Sequence, residues 1–132
     1  MNNDVETTKK LTIATTLLWV AAVAALGAAI AEIPTIQDAS NTTKVVETWR
    51  MIGFGTFAAM FAMLARKPFG NQLWWIVIGN KLALTIAGVI FVMQDGVDGA
   101  LDLIIFDGGL TVLLIVAFVL VRSSLGKSPS QQ

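Results

Sequence analysis

Four apolar segments, each long enough to cross a lipid bilayer, constrain this chain more than any other feature. A spanning helix needs about 20 mainly apolar residues, because each residue advances about 1.5 Å across a hydrocarbon core of about 30 Å. The segments run approximately over 11–33, 48–65, 73–93 and 99–121. The first follows the polar stretch MNNDVETTKK and is expected to end before Pro34, and the second stops at Arg66-Lys67-Pro68. There two cations and a proline mark the water boundary. Asp95-Gly96-Val97-Asp98 reads as a compact turn that folds the last two segments into a helical hairpin. The stretch from Ser123 to the C-terminus reads as a short polar tail without fixed structure.

In 132 residues, 55% are hydrophobic and only 14% charged. A water-soluble fold of this length cannot hide so much apolar surface, and the charges gather near the ends of the apolar runs. The expected fold is therefore all-α: a single domain forming an antiparallel bundle of four transmembrane helices, with polar tails at 1–10 and 122–132. One competing reading makes the first segment a cleaved signal peptide, since Lys9-Lys10 precede it and Ala29-Ile30-Ala31 resembles a cleavage site. Its apolar run exceeds the about 7–15 residues of a signal core, which favours a retained span.

Lysines and arginines in short connections are held on the cytoplasmic side during insertion. Lys9, Lys10, Arg66, Lys67, Arg122 and Lys127 fall on one side of the four spans. Glu32, Asp38, Glu47, Asp95 and Asp98 fall on the other, with Lys44 and Arg50. Both termini are therefore expected in the cytoplasm, and the chain's size suggests a prokaryotic inner membrane.

Composition also removes chemistry. Without cysteine there is no disulfide or thiolate, and without histidine there is no imidazole base and no histidine-ligated haem. Net charge is zero and no basic cluster stands out, so a nucleic-acid partner is not expected. No nucleophile–base pair or metal-ligand cluster can be located by spacing, so no catalytic residue, metal or cofactor is assigned.

Polar residues inside the spans are the informative ones, because an ionisable group at mid-bilayer costs about 2.5–3.5 kcal/mol on insertion scales. The candidates are Arg50, Asn80, Lys81, Asp102 and Asp107. Arg50 and Asp102 lie at matching depth, which suggests an ion pair if the second and fourth helices touch. Lys81 lies within reach of Asp107, but side chains lean toward their own helix N-terminus. In antiparallel helices that tilts the two apart, so a water or Asn80 is expected to bridge them. Lys81, Thr85 and Gly88 share one helical stripe, and Asp107-Gly108-Gly109 permits a local break or a close helix approach. Two readings stand: a polar clasp that fixes helix register, or a small polar pocket open to the outer face.

Close packing of spans in lipid relies on small residues. Ala21, Ala25 and Ala29 repeat at fourth positions, as do Ala24 and Ala28, and the second span offers Gly55 with Ala59 and Ala58 with Ala62. Ordinary intrachain packing is the simpler reading, a dimer seam the other. Trp49, Trp74 and Trp75 sit at span ends as interfacial anchors, whereas Trp19 lies deeper as a packing residue.

The order of a long first span, an outer loop, WRMIGFGTFAAMFAMLARKP, a third span with a polar centre, an acidic turn and a last span resembles the DoxX-like and related small bacterial four-helix membrane proteins. That resemblance implies the architecture and carries no site residue. Three function classes follow. The leading one is a non-enzymatic membrane component, either an accessory or a self-associating subunit whose partners are the lipid bilayer and other membrane proteins. The second is a small transporter or ligand-binding protein using Lys81, Asp102 and Asp107. The third is a membrane enzyme acting on lipid or quinone.

Overall fold

The computed structural model describes residues 2–94 and 97–125. It is built of four helices, α1 (Asn2–Asp38), α2 (Lys44–Arg66), α3 (Leu73–Val92) and α4 (Ala100–Leu125). The described residues are 87% helical, and all four helices have the length and composition to cross a membrane. The protein is an all-α, multi-pass membrane protein.

Its surface agrees with a lipid solvent. Val23, Phe106 and Val112 are each more than 60% exposed although they lie well inside the helices. In water such side chains would form apolar patches too large for a stable monomer, whereas in hydrocarbon their exposure carries no penalty.

Consecutive helices run antiparallel. α1 packs most extensively on α2, α3 on α4, and α1 on α4, while α2 and α3 touch sparsely and, among the described residues, the diagonal pairs do not meet. α1 offers a stripe of Ala14, Leu18, Ala21, Ala25 and Ala29, all buried. Their spacing by three and four residues places small side chains on one face, letting neighbouring backbones come close. Ala58, Phe61, Leu64 and Ala65 of α2 join the same core, with Val77 of α3 and Leu114, Ala117 and Val121 of α4. The alanine repeats at 21, 25 and 29 thus serve intrachain packing, as does Ala58, whereas Ala24 and Ala59 face outward.

Several boundaries differ from those read in the sequence. α1 begins in the polar stretch, held by an ion pair of Lys10 with Glu6 at 2.7 Å, and continues through Pro34 to Asp38. Pro34 removes only the N–H that would reach the carbonyl of Ile30, and near the end of a span headgroups and water can satisfy that oxygen. α2 starts four residues earlier than expected, and α4 runs on through Ser123 and Ser124. In the turn before α4, Gly99 adopts φ +76, a conformation open to glycine at no steric cost. Asp95 and Gly96 of that turn, and the tail from 126 onward, lie outside the described residues.

The tryptophans sort differently too. Trp49 and Trp75 are strongly exposed at helix ends, as anchors are. Trp74 is buried, its indole N–H donating to the carbonyl of Pro68 at 2.8 Å. Trp19 is nearly half exposed and faces out of the bundle, because the packing stripe of α1 passes through Leu18 and Ala21 instead.

Candidate functional site

Lys81 of α3 and Asp107 of α4 form the polar centre. Lys81 Nζ donates directly to Asp107 Oδ1 at 2.6 Å, with side-chain exposures of 4% and 10%. No bridge by Asn80 is needed. The long aliphatic stem of lysine crosses the offset that the opposed helix directions create. The ammonium also lies 4.4 Å from the centre of the Phe57 ring on α2, which supplies a second favourable contact for a desolvated cation. Phe57 carried no signal in the sequence, being one aromatic among many apolar neighbours.

Around the pair the hydroxyls close the network. Thr85 Oγ1 donates to the Lys81 carbonyl at 2.8 Å, and Thr111 Oγ1 donates to the Asp107 carbonyl at 2.7 Å. The two hydroxyls face each other at 3.5 Å across the α3–α4 seam. Thr111 follows Asp107 by one helical turn, a spacing that exposes it to sequence reading once the acid is noticed.

The seam is tight because glycine lines it. A Cβ at Gly88 would meet Ile104 Cγ1 at 2.8 Å and the Ala100 carbonyl oxygen at 3.2 Å, and one at Gly108 would meet Thr85 Cγ2 at 3.4 Å. The expected stripe of Lys81, Thr85 and Gly88 does face α4, but only Lys81 meets Asp107, Thr85 lying against Thr111 and Gly108, and Gly88 against Ile104 and Ala100. α4 passes unbroken through Gly108 and Gly109, so the glycines provide close approach and not a helix break.

The remaining candidates are elsewhere. Arg50 does not meet Asp102, because α2 and α4 are diagonal in the bundle. Its guanidinium instead donates a hydrogen bond to Glu32 of α1 at 2.8 Å and forms an ion pair with Glu47 of its own helix at 2.6 Å. Asp102 is exposed in the first turn of α4, where a carboxylate favourably faces the helix dipole. Asn80 is exposed on α3, beside Gly79 and Ala83, and makes no hydrogen bond among the described residues. Thus only Lys81 and Asp107, of the five, come together.

Among the described residues no three His, Cys, Asp or Glu side chains converge as metal ligands would. An open surface cleft of about 160 Å³ lies between α3 and α4 at the end carrying the chain termini, and a shallow depression runs along the first turns of α1. Neither includes Lys81, Asp102 or Asp107.

Compared with models of known protein families, with curated proteins and with solved structures, the chain matches none. The resemblance to DoxX-like proteins rests on the order of its sequence features alone.

Proposed function

We propose that this protein is a non-enzymatic membrane component that associates with further copies of itself. The observation that carries this reading is the contrast between its buried charges and Asn80. Lys81 and Asp107 bind each other directly inside the bundle, an arrangement suited to fixing helix register. Asn80 lies about 10 Å in from the start of α3, at hydrocarbon depth, and is exposed. Its side chain is too short to reach the headgroups, so a partner outside the chain would relieve an amide stranded in lipid.

A second copy suits that amide. The carboxamide carries both a donor and an acceptor, so two Asn80 side chains related by a two-fold axis would satisfy each other. Gly79 and Ala83 flank Asn80, and a Cβ at Gly79 would meet no atom within 4 Å. Two α3 helices are free to approach closely there.

The same reading places both termini in the cytoplasm, because Lys9, Lys10, Arg66, Lys67 and Arg122 crowd the end of the bundle that carries them.

The test is reversible association in liposomes, followed by energy transfer between labelled copies. The wild type is expected to associate, and Asn80→Leu to weaken association about 3- to 30-fold, the span of one interhelical hydrogen bond in lipid. A monomeric wild type, or an Asn80→Leu variant that associates unchanged, would sink the proposal.

A further inference from the structure

We infer that the cavity between α3 and α4 at the termini end is a binding site for the phosphate of an anionic phospholipid, held by Arg122. The open cleft has a volume of about 160 Å³ and is bordered by Gln72 just before α3, by Trp75 of α3 and by Phe118, Val121 and Arg122 of α4. That volume equals the share of about five waters in the liquid, room for a phosphate with part of its headgroup. Among the described residues no carboxylate lines it.

Arg122 forms no ion pair with any described residue, in contrast to Arg50, Lys10 and Lys81. Its guanidinium lies 5.4 Å from the Phe118 ring centre, and Phe118 is itself fixed by edge and tilted contacts with Trp75 and Trp74 at 5.5 and 5.4 Å. Held over the ring in this way, the guanidinium also lines the cavity, and its planar fork of donors suits phosphate oxygens. The exposed Trp75 forms no hydrogen bond through its indole N–H among the described residues, and it offers a further donor at headgroup depth.

The surface away from the cavity fits the rest of a lipid. Val119 and Ile115 precede Arg122 by one and two turns on the same face of α4 and are 56% and 44% exposed. An acyl chain can lie along this strip while its phosphate reaches Arg122. A basic pocket between spans, with apolar walls leading into the hydrocarbon, is the arrangement that recognises anionic headgroups.

Native mass spectrometry of the delipidated full-length protein, offered equal amounts of phosphatidylglycerol and phosphatidylcholine, tests the site. The wild type is expected to retain phosphatidylglycerol about fivefold over phosphatidylcholine, and Arg122→Gln to lose that preference. Trp75→Phe is expected to weaken retention, whereas Lys67→Gln, at the same end but outside the cavity, leaves it unchanged. Equal retention of both lipids, an Arg122→Gln variant like the wild type, or equal loss in Lys67→Gln would each overturn the inference. Inorganic phosphate alone is the last arm: if it displaces phosphatidylglycerol, the site takes a free oxyanion and the lipid assignment fails.

Discussion

Lys81 and Asp107 lie on antiparallel helices whose side chains lean in opposite directions, yet their charged atoms meet at 2.6 Å. The closure ties α3 to α4 inside the bundle, and the Phe57 ring brings α2 to the same ammonium. A buried ion pair is poor evidence of net stability, since desolvation of both ions offsets their attraction. Its effect is to penalise any arrangement that separates them.

Removing one partner and removing both should therefore differ in kind. Lys81→Met leaves a carboxylate in hydrocarbon, and Asp107→Leu leaves an ammonium; each is expected to destabilise the protein by about 3–5 kcal/mol. Lys81→Met with Asp107→Leu should recover most of that loss, because an apolar pair of similar size needs no desolvation. Unfolding in mixed micelles measures all four proteins. A double variant as unstable as the sum of the singles would show that the pair contributes more than register.

The close approach of α3 and α4 at Gly88 leaves no space for a methyl group. Gly88→Ala is expected to cost about 1–3 kcal/mol through overpacking against Ile104 and the Ala100 carbonyl. Gly53→Ala in α2, where a Cβ would meet nothing within 4 Å, should be neutral or stabilise by up to about 1 kcal/mol through helix propensity. The two substitutions are chemically identical, so opposite signs in the same unfolding assay isolate the packing term.

The spans were legible because hydrocarbon thickness dictates a length and excludes charge, two properties that local sequence displays. Lys81 facing Asp107 was legible for a related reason, since each is costly alone at its depth. What the sequence could not display was the order of helices around the bundle, and the Arg50 and Asp102 expectation failed on that point. With α2 and α4 diagonal, Arg50 turned to Glu32 and Glu47. Helix rotation was equally hidden. All four spans are apolar on most sides, so nothing local marked Trp74 as buried or Trp19 as facing outward. Helix ends beyond the lipid, such as Lys44–Glu47 and Ser123–Leu125, depend on local hydrogen bonding that hydropathy does not measure.

The proposed orientation gives a prediction that is independent of packing. A fluorescent protein fused after Gln132 is expected to mature, and alkaline phosphatase fused there to remain inactive, if the cations at that end hold it in the cytoplasm as proposed. The reverse pattern would invert the topology and place Arg122 on the outer leaflet.

Arg50 and Lys81 both sit in ion pairs, but their surroundings predict unequal consequences. The Arg50 side chain is 47% exposed near the end of its span, while its partners Glu32 and Glu47 are 14% and 18% exposed, so water and salt reach the cation but only part of each carboxylate. Arg50→Gln is expected to cost about 1–3 kcal/mol, above the value of a fully exposed pair because two partly buried carboxylates lose their cation, and part of the difference from wild type should shrink as salt is raised. Lys81→Met, at 4% side-chain exposure and with Asp107 at 10%, should lose more, with little dependence on salt, since ions do not enter the bundle. Unfolding each variant at low and high ionic strength separates the two cases. A salt-insensitive loss at Arg50 as large as that at Lys81 would mean that the outer pair with Glu32 is as desolvated as the inner one, and that α1 and α2 are held together by charge as firmly as α3 and α4.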